Sequence, residues 1–66
     1  MVNVAELRAE LARKQLTQKE LAKRIGISEQ TLSRRMKTKV FGSDEIEKII
    51  RVLDVKDPIS IFFDHW

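Results

Sequence analysis

The chain has 66 residues and a net charge of +3, with 42% hydrophobic and 35% charged residues, no cysteine and one histidine. This composition predicts one globular domain, residues 1–66, and excludes disulfides, thiolate metal sites and a cysteine nucleophile. With so little catalytic material we expect no enzyme, cofactor or metal, and no apolar run is long enough to span a membrane. The first six residues lack the basic and apolar regions of a signal peptide, so we expect a cytoplasmic protein.

The first two predicted helices each begin at a capping box, in which two residues three apart each accept the other's backbone N–H. Asn3 and Glu6 start a helix of about residues 4–14, and Thr17 and Glu20 start a second helix. Gly26 is placed to end the second helix in a left-handed conformation. Apolar residues at helical spacing predict the buried faces, which are Val4, Leu7 and Leu11, then Leu21, Ala22 and Ile25.

Three further helices follow in the same way. Ser28 is predicted to cap a third helix that runs to about Lys37, and Ser43 to cap a fourth after a loop of residues 38–42. Asp57 and Pro58 begin a short fifth helix of about residues 58–63. The apolar positions predict burial of Leu32, Met36, Ile46, Ile49, Ile50, Leu53, Ile59 and Phe62. The predicted fold class is therefore all-α, with five short helices around one core.

The connection between the second and third helices is the most informative segment. Gly26, Ile27 and Ser28 form a link too short to fold the third helix back antiparallel, so the two helices must cross steeply. Ala22 supports this geometry because a steep crossing needs a small side chain where the helices approach. The outer face of the third helix then presents Glu29, Gln30, Ser33 and Arg34 to solvent.

Residues 16–34 contain the spaced elements Thr-Gln-x-Glu-Leu-Ala, Gly-Ile-Ser and Thr-Leu-Ser. In this pattern the chain resembles the Cro/repressor-type helix-turn-helix family of phage and bacterial transcription regulators. Residues 36–41 resemble phage-associated members in particular. The resemblance implies a lambda-repressor-like DNA-binding domain, with its helix-turn-helix at about residues 17–37.

Two positions depart from that family's pattern. Many members carry an aromatic or aliphatic residue where Arg35 stands, so the roll of the third helix is left open. Many also carry a glutamate where Met36 stands, which in some pairs with a base near the position of Leu11. We expect Leu11 and Met36 to make an apolar contact here, which avoids the desolvation cost of a buried ion pair.

The basic residues are concentrated in the middle of the chain. Residues 13–39 contain nine lysines and arginines against two glutamates, a balance of +7, whereas residues 40–66 have a balance of −3. Such a basic segment is typical either of a surface that binds a polyanion or of an ordinary solvated helix surface.

If the partner is double-stranded DNA, the third helix would read bases in the major groove. Gln30 can bond adenine and Arg34 can bond guanine, while Ser33 offers a hydroxyl. Glu29 either accepts from cytosine or only stabilises the helix dipole, and Ser28 can touch a phosphate or a thymine methyl. Phosphate contacts are expected from Gln18, Thr17, Lys37, Thr38 and Lys39, although Thr17 is first a helix cap and the loop lysines can equally be solvated.

These features predict a regulator that occupies operator DNA, in the setting of a phage or prophage repressor, and that is nucleoid-associated when bound. Because one recognition helix covers few base pairs, we expect a weak homodimer that forms especially on DNA. Its interface would use Ile59, Phe63 and Trp66, unless that end folds onto its own domain. Two alternatives stay open, a protein-interaction module of antirepressor or antitoxin type with a second regulator as partner, and the DNA-binding fragment of a longer repressor.

Overall fold

A computed structural model describes residues 2–63 of the chain. These residues form five helices and no strand, which confirms the predicted all-α class. The helices are α1 (Val4–Arg13), α2 (Gln18–Ile25), α3 (Glu29–Thr38), α4 (Ser43–Leu53) and α5 (Pro58–Phe62).

The start of α1 differs from the predicted capping box. The Asn3 side chain accepts the backbone N–H of Glu6 at 3.1 Å, as expected. The reciprocal bond is absent because the Asn3 N–H donates to the carbonyl of Ile61 at 2.6 Å and the Glu6 carboxylate accepts from Arg13. Half of the predicted box is therefore replaced by a tertiary bond that ties the start of the chain to α5.

Two boundaries around the third loop were predicted wrongly. The N-cap of α4 is Gly42 and Ser43 is the first helical residue, because Glu45 accepts the Gly42 N–H at 2.8 Å and closes the first turn. Thr38 was assigned to the loop but ends α3, since the helix continues until Lys39 turns into the left-handed region at a φ of 63°.

Three helices end in the same left-handed turn. A positive φ occurs directly after α2 at Gly26 (81°) and after α4 at Asp54 (50°), and two residues after α1 at Gln15 (57°). The next N–H then bonds a carbonyl five residues back, in the Schellman arrangement. Those next residues are apolar and pack against the core, namely Leu16, Ile27 and Val55. Each turn therefore satisfies helix carbonyls and also directs an apolar side chain inward.

The core lies where α2 packs against both α3 and α4, and α1 packs against α5. Its most deeply buried side chains are Leu7, Leu21, Leu32, Ile49 and Leu53. Ala22 of α2 is 1% exposed, which is compatible with the small side chain expected where α2 and α3 approach.

The core prediction for α5 was wrong at one position. Ile59 is 64% exposed, and Ile61 is buried with Phe62 instead. The helix starts at Pro58 as predicted, but the face that meets the core is the one that carries positions 58, 61 and 62, so position 59 faces solvent. Leu11 and Met36 are both buried in the core, and no charged side chain is buried among residues 2–63. Their direct contact stays a prediction.

We expect Gly26→Ala to destabilise the fold by about 1 kcal/mol, because a β-carbon strains a left-handed residue. The added carbon meets no atom within 4 Å, so the cost comes from the backbone conformation alone. Gly26→Asn should cost less, since asparagine tolerates this region better. Urea unfolding of the three proteins tests this, and equal losses for alanine and asparagine would contradict a conformational origin.

Candidate nucleic-acid interface

The first turn of α3 is fixed by Ser28. Its Oγ accepts the Thr31 N–H at 3.0 Å and donates to the Thr31 Oγ1 at 2.8 Å. The hydroxyl proton is therefore already used inside the helix. A phosphate offers only acceptor oxygens, so a bond from the Ser28 hydroxyl to phosphate would require breaking the bond to Thr31 or reversing it so that the Thr31 hydroxyl donates.

The outer face of α3 carries the four side chains that the sequence placed there. Glu29, Gln30, Ser33 and Arg34 are all exposed, and within residues 2–63 none of their side chains makes a hydrogen bond or ion pair. The opposite face is buried through Leu32 and Met36. Amide, hydroxyl and guanidinium groups are thus presented together from one rigid helix, with their bonding capacity unused by the described part of the chain.

The start of α2 contains the capping box that the sequence predicted. The Thr17 Oγ1 accepts the Glu20 N–H at 3.1 Å, and the Glu20 carboxylate accepts the Thr17 N–H at 2.9 Å. The bonds from the Thr17 backbone and hydroxyl lower the pKa of Glu20 below its ordinary value. Thr17 is exposed and Gln18, the first helical residue, is half-buried.

The far end of α3 holds the other predicted phosphate-binding residues. Lys37 and Lys39 are exposed. The Thr38 hydroxyl donates to the Arg35 carbonyl at 3.3 Å, so its proton is partly committed to the helix. The Lys39 N–H bonds the same carbonyl at 2.8 Å, and the Lys39 carbonyl accepts from Val2 at 3.1 Å. These backbone bonds fix the position from which the Lys39 side chain leaves the chain.

The tertiary structure divides the nine bases of residues 13–39 into two groups. Arg13 pairs with Glu6 and Glu10 of α1, at 3.2 and 2.6 Å, and Arg35 pairs with Glu45. The other seven make no ion pair within residues 2–63 and are exposed; they are Lys14, Lys19, Lys23, Arg24, Arg34, Lys37 and Lys39. The sequence count missed this division because the three acids lie outside the basic segment.

The pairing of Arg35 with Glu45 settles the question that the sequence left open for α3. The Arg35 Nε donates to both Glu45 oxygens, at 3.0 and 3.1 Å. Position 35 therefore faces α4 rather than the outer face. Partial burial raises the pKa of Glu45, but the bonds from Arg35 and from the Gly42 N–H outweigh burial, so the pKa lies below its ordinary value.

Apolar side chains are exposed on other parts of the surface. Ile59 and Phe63, which the sequence assigned to an interface, are 64% and 44% exposed, whereas Trp66 lies outside the described residues. Val40 is 65% exposed and was not singled out. It borders a groove of about 180 Å³ with Phe41, Ile46 and Phe62. No sequence signal separates Val40 from its buried neighbour Phe41.

Among the helices of residues 2–63, none is both long and apolar enough to cross a membrane. In the same part of the chain, no three side chains of the metal-ligating types His, Cys, Asp or Glu come together as a metal site.

Five helices, a left-handed glycine corner between α2 and α3 and an exposed polar face on α3 define a helix-turn-helix domain. The chain belongs to the family described as the antitoxin Xre-like helix-turn-helix domain, whose model matches residues 9–54. The match spans the second half of α1 and the whole of α2, α3 and α4. No curated protein and no solved structure matches the chain significantly.

We expect Glu45→Gln to lower the free energy of unfolding by about 1 kcal/mol at pH 7, since charge-assisted bonds to Arg35 and Gly42 are weakened. Because the pKa of Glu45 is lower in the folded protein, its contribution is complete above the unfolded pKa of about 4.3 and is lost as the pH falls through the folded value. The difference between the two proteins should therefore shrink below pH 4.

Urea unfolding at pH 7, 5 and 3 checks this expectation. Glu47→Gln is the matched control, because the Glu47–Arg51 pair is on the same helix but 64% and 75% exposed, and should change stability little. A difference between wild type and Glu45→Gln that is the same at all three pH values would show that the carboxylate charge is not its source.

Proposed function

We propose that this chain is a single-domain transcription regulator that recognises double-stranded operator DNA by inserting α3 into the major groove. The observation that carries this proposal is the exposed set Gln30, Ser33 and Arg34, which share one face of α3 and have no partner within residues 2–63. Glutamine and arginine have the bidentate donor and acceptor geometry that suits adenine and guanine edges. Glu29 would accept from cytosine or act on the helix dipole alone.

Phosphate contacts from the start of α2 and from the end of α3 would set the register of the domain on the duplex. Gln18 would contact one strand from the start of α2, and Thr17 would add a second contact beside its role as helix cap. Lys37, Thr38 and Lys39 would contact the backbone at the other end of α3. The seven unpaired bases support this role, because counterion release needs cations that the protein has not already neutralised.

We further propose that two copies bind together on DNA, as a weak homodimer whose half-sites lie about one helical turn apart. The exposed side chains of Ile59 and Phe63 support an apolar interface at α5, to which Trp66 would add. Such a regulator would act in the cytoplasm and associate with the nucleoid.

Two biological settings are compatible with this binding mode. The likeness to Cro and repressor proteins favours a phage or prophage regulator, whereas the family description favours an antitoxin-type protein that also binds a second protein. The second candidate requires a protein-binding surface, for which the groove beside Val40 and the exposed Ile59 are available.

Selection of bound sequences from a random DNA pool, followed by anisotropy titrations at two salt concentrations, tests the proposal. We expect a two-fold symmetric site that binds at least ~1000-fold more tightly than random DNA. Absence of any salt-dependent affinity for DNA would reject the proposal that the protein recognises operator DNA and would leave the protein-binding candidate.

Arg34→Ala should weaken binding to the selected site by about 1–3 kcal/mol and relax the preference at one base pair, because a bidentate contact to guanine is lost. The measurement is a titration against the selected site and its single-base variants. Equal weakening on selected and random DNA would contradict base reading by Arg34.

Lys39→Asn should weaken binding to all sequences alike and lower the salt slope by about one, because one phosphate contact is lost. Asparagine is the matched replacement, since it removes the charge but tolerates the φ of 63° at this position. Titrations over a salt series on selected and random duplexes measure both quantities. An unchanged slope would mean that Lys39 is merely solvated.

A further inference from the structure

Two adjacent arginines of α3 are in opposite situations. Arg34 is exposed and makes no ion pair within residues 2–63. Arg35 is held by Glu45, whose two oxygens lie 3.0 and 3.1 Å from its Nε. Of the ion pairs among the described residues, this is the one that joins two helices, because the others lie within α1, within α4 or between Asp54 and Lys56.

The carboxylate that holds Arg35 is itself fixed. Glu45 accepts the Gly42 N–H at 2.8 Å, and only 14% of its side chain is exposed, against 37% for Arg35. Both side chains of the Glu47–Arg51 pair on the same helix are solvated, at 64% and 75% exposed. Arg35 is therefore anchored to a carboxylate with a defined position, which a flexible surface pair does not provide.

Arg35 is close to the residues that are proposed to contact DNA, so its pairing with Glu45 affects how many cations can contact phosphate. Arg35 lies in α3 between Arg34 and Lys37, one turn before Lys39, so a released guanidinium would lie beside the side chains proposed to contact phosphate. An additional phosphate contact would strengthen binding to every duplex without adding sequence information. More of the protein would then be held on the excess of non-operator sites.

We propose that Glu45 is a positioning residue that withholds Arg35 from the DNA backbone, and that it thereby limits the affinity of the domain for random DNA. The inference rests on the proposed DNA-binding function and makes a prediction opposite to that of a purely structural role. Loss of a structural bond would weaken DNA binding, whereas release of a cation should strengthen binding to random sequences.

The test is a fluorescence-anisotropy salt series on a random-sequence duplex, with the 66-residue chain as wild type and variants. Glu45→Gln should raise the affinity on the order of fivefold at 0.1 M salt and steepen the salt slope by about one. Glu47→Gln changes the net charge equally and releases Arg51 on α4, so it controls for overall charge and should leave the slope unchanged. Arg35→Gln should have the same salt slope as the wild type, because the paired Arg35 does not contact phosphate. The double variant with Arg35→Gln and Glu45→Gln should also have the wild-type slope, because it has no arginine to release.

A random-DNA affinity that is unchanged or lower in Glu45→Gln, or that rises equally in Glu47→Gln, would overturn the inference. If Glu45→Gln does not fold, the salt slope of Arg35→Gln on random DNA is the test. A slope lower than that of the wild type by one would show that Arg35 already contacts phosphate, which contradicts the inference. Wild-type protein without salt-dependent DNA binding would reject the proposed function as well. Normal wild-type binding with the wrong response of these variants would reject only the role of Glu45.

Discussion

The left-handed glycine corner between α2 and α3 is the constraint on which the rest of the molecule depends. Gly26 turns into the left-handed region, and the Ile27 N–H returns to the Ala22 carbonyl at 3.0 Å. Ala22 is buried in the core, and Ile27 packs against the same core. Because this corner buries one face of α3, the opposite polar face is necessarily directed to solvent.

A chain this short buries a modest share of its surface, so its helix ends contribute to stability as well as its core. Three left-handed endings direct Leu16, Ile27 and Val55 inward, and two of them occur at Gln15 and Asp54 without a glycine. The left-handed conformation of Gln15 and of Asp54 costs about 1–2 kcal/mol each. The hydrogen bonds to the helix carbonyls and the burial of the next apolar side chain offset this cost. The start of the chain adds bonds from Val2 to Lys39 and from Asn3 to Ile61. The loop after α3 and the last helix are thereby joined to the same body.

The electrostatic character of the surface follows from which charges find partners. Arg13 and Arg35 are neutralised by acids of α1 and α4, while the bases around the exposed face of α3 stay unpaired. This division leaves fewer unpaired cations than the sequence count suggests, and three of them, Arg34, Lys37 and Lys39, lie on α3 or directly after it. The same division distinguishes Arg34 from Arg35, although the two are chemically identical and adjacent in the chain.

The sequence by itself determined the five helices, the left-handed glycine, the caps at Thr17, Ser28 and Asp57, and the outer face of α3, because these depend on local spacing and on bonds between near neighbours. The tertiary structure alone decided which of two close alternatives was adopted elsewhere. The Asn3 N–H bonds Ile61 rather than Glu6, and Ile61 rather than Ile59 closes the core. It also gave Arg35 a partner ten residues away in Glu45. Such choices depend on groups that are distant in sequence or on which face of a helix meets the core, and a local pattern contains neither.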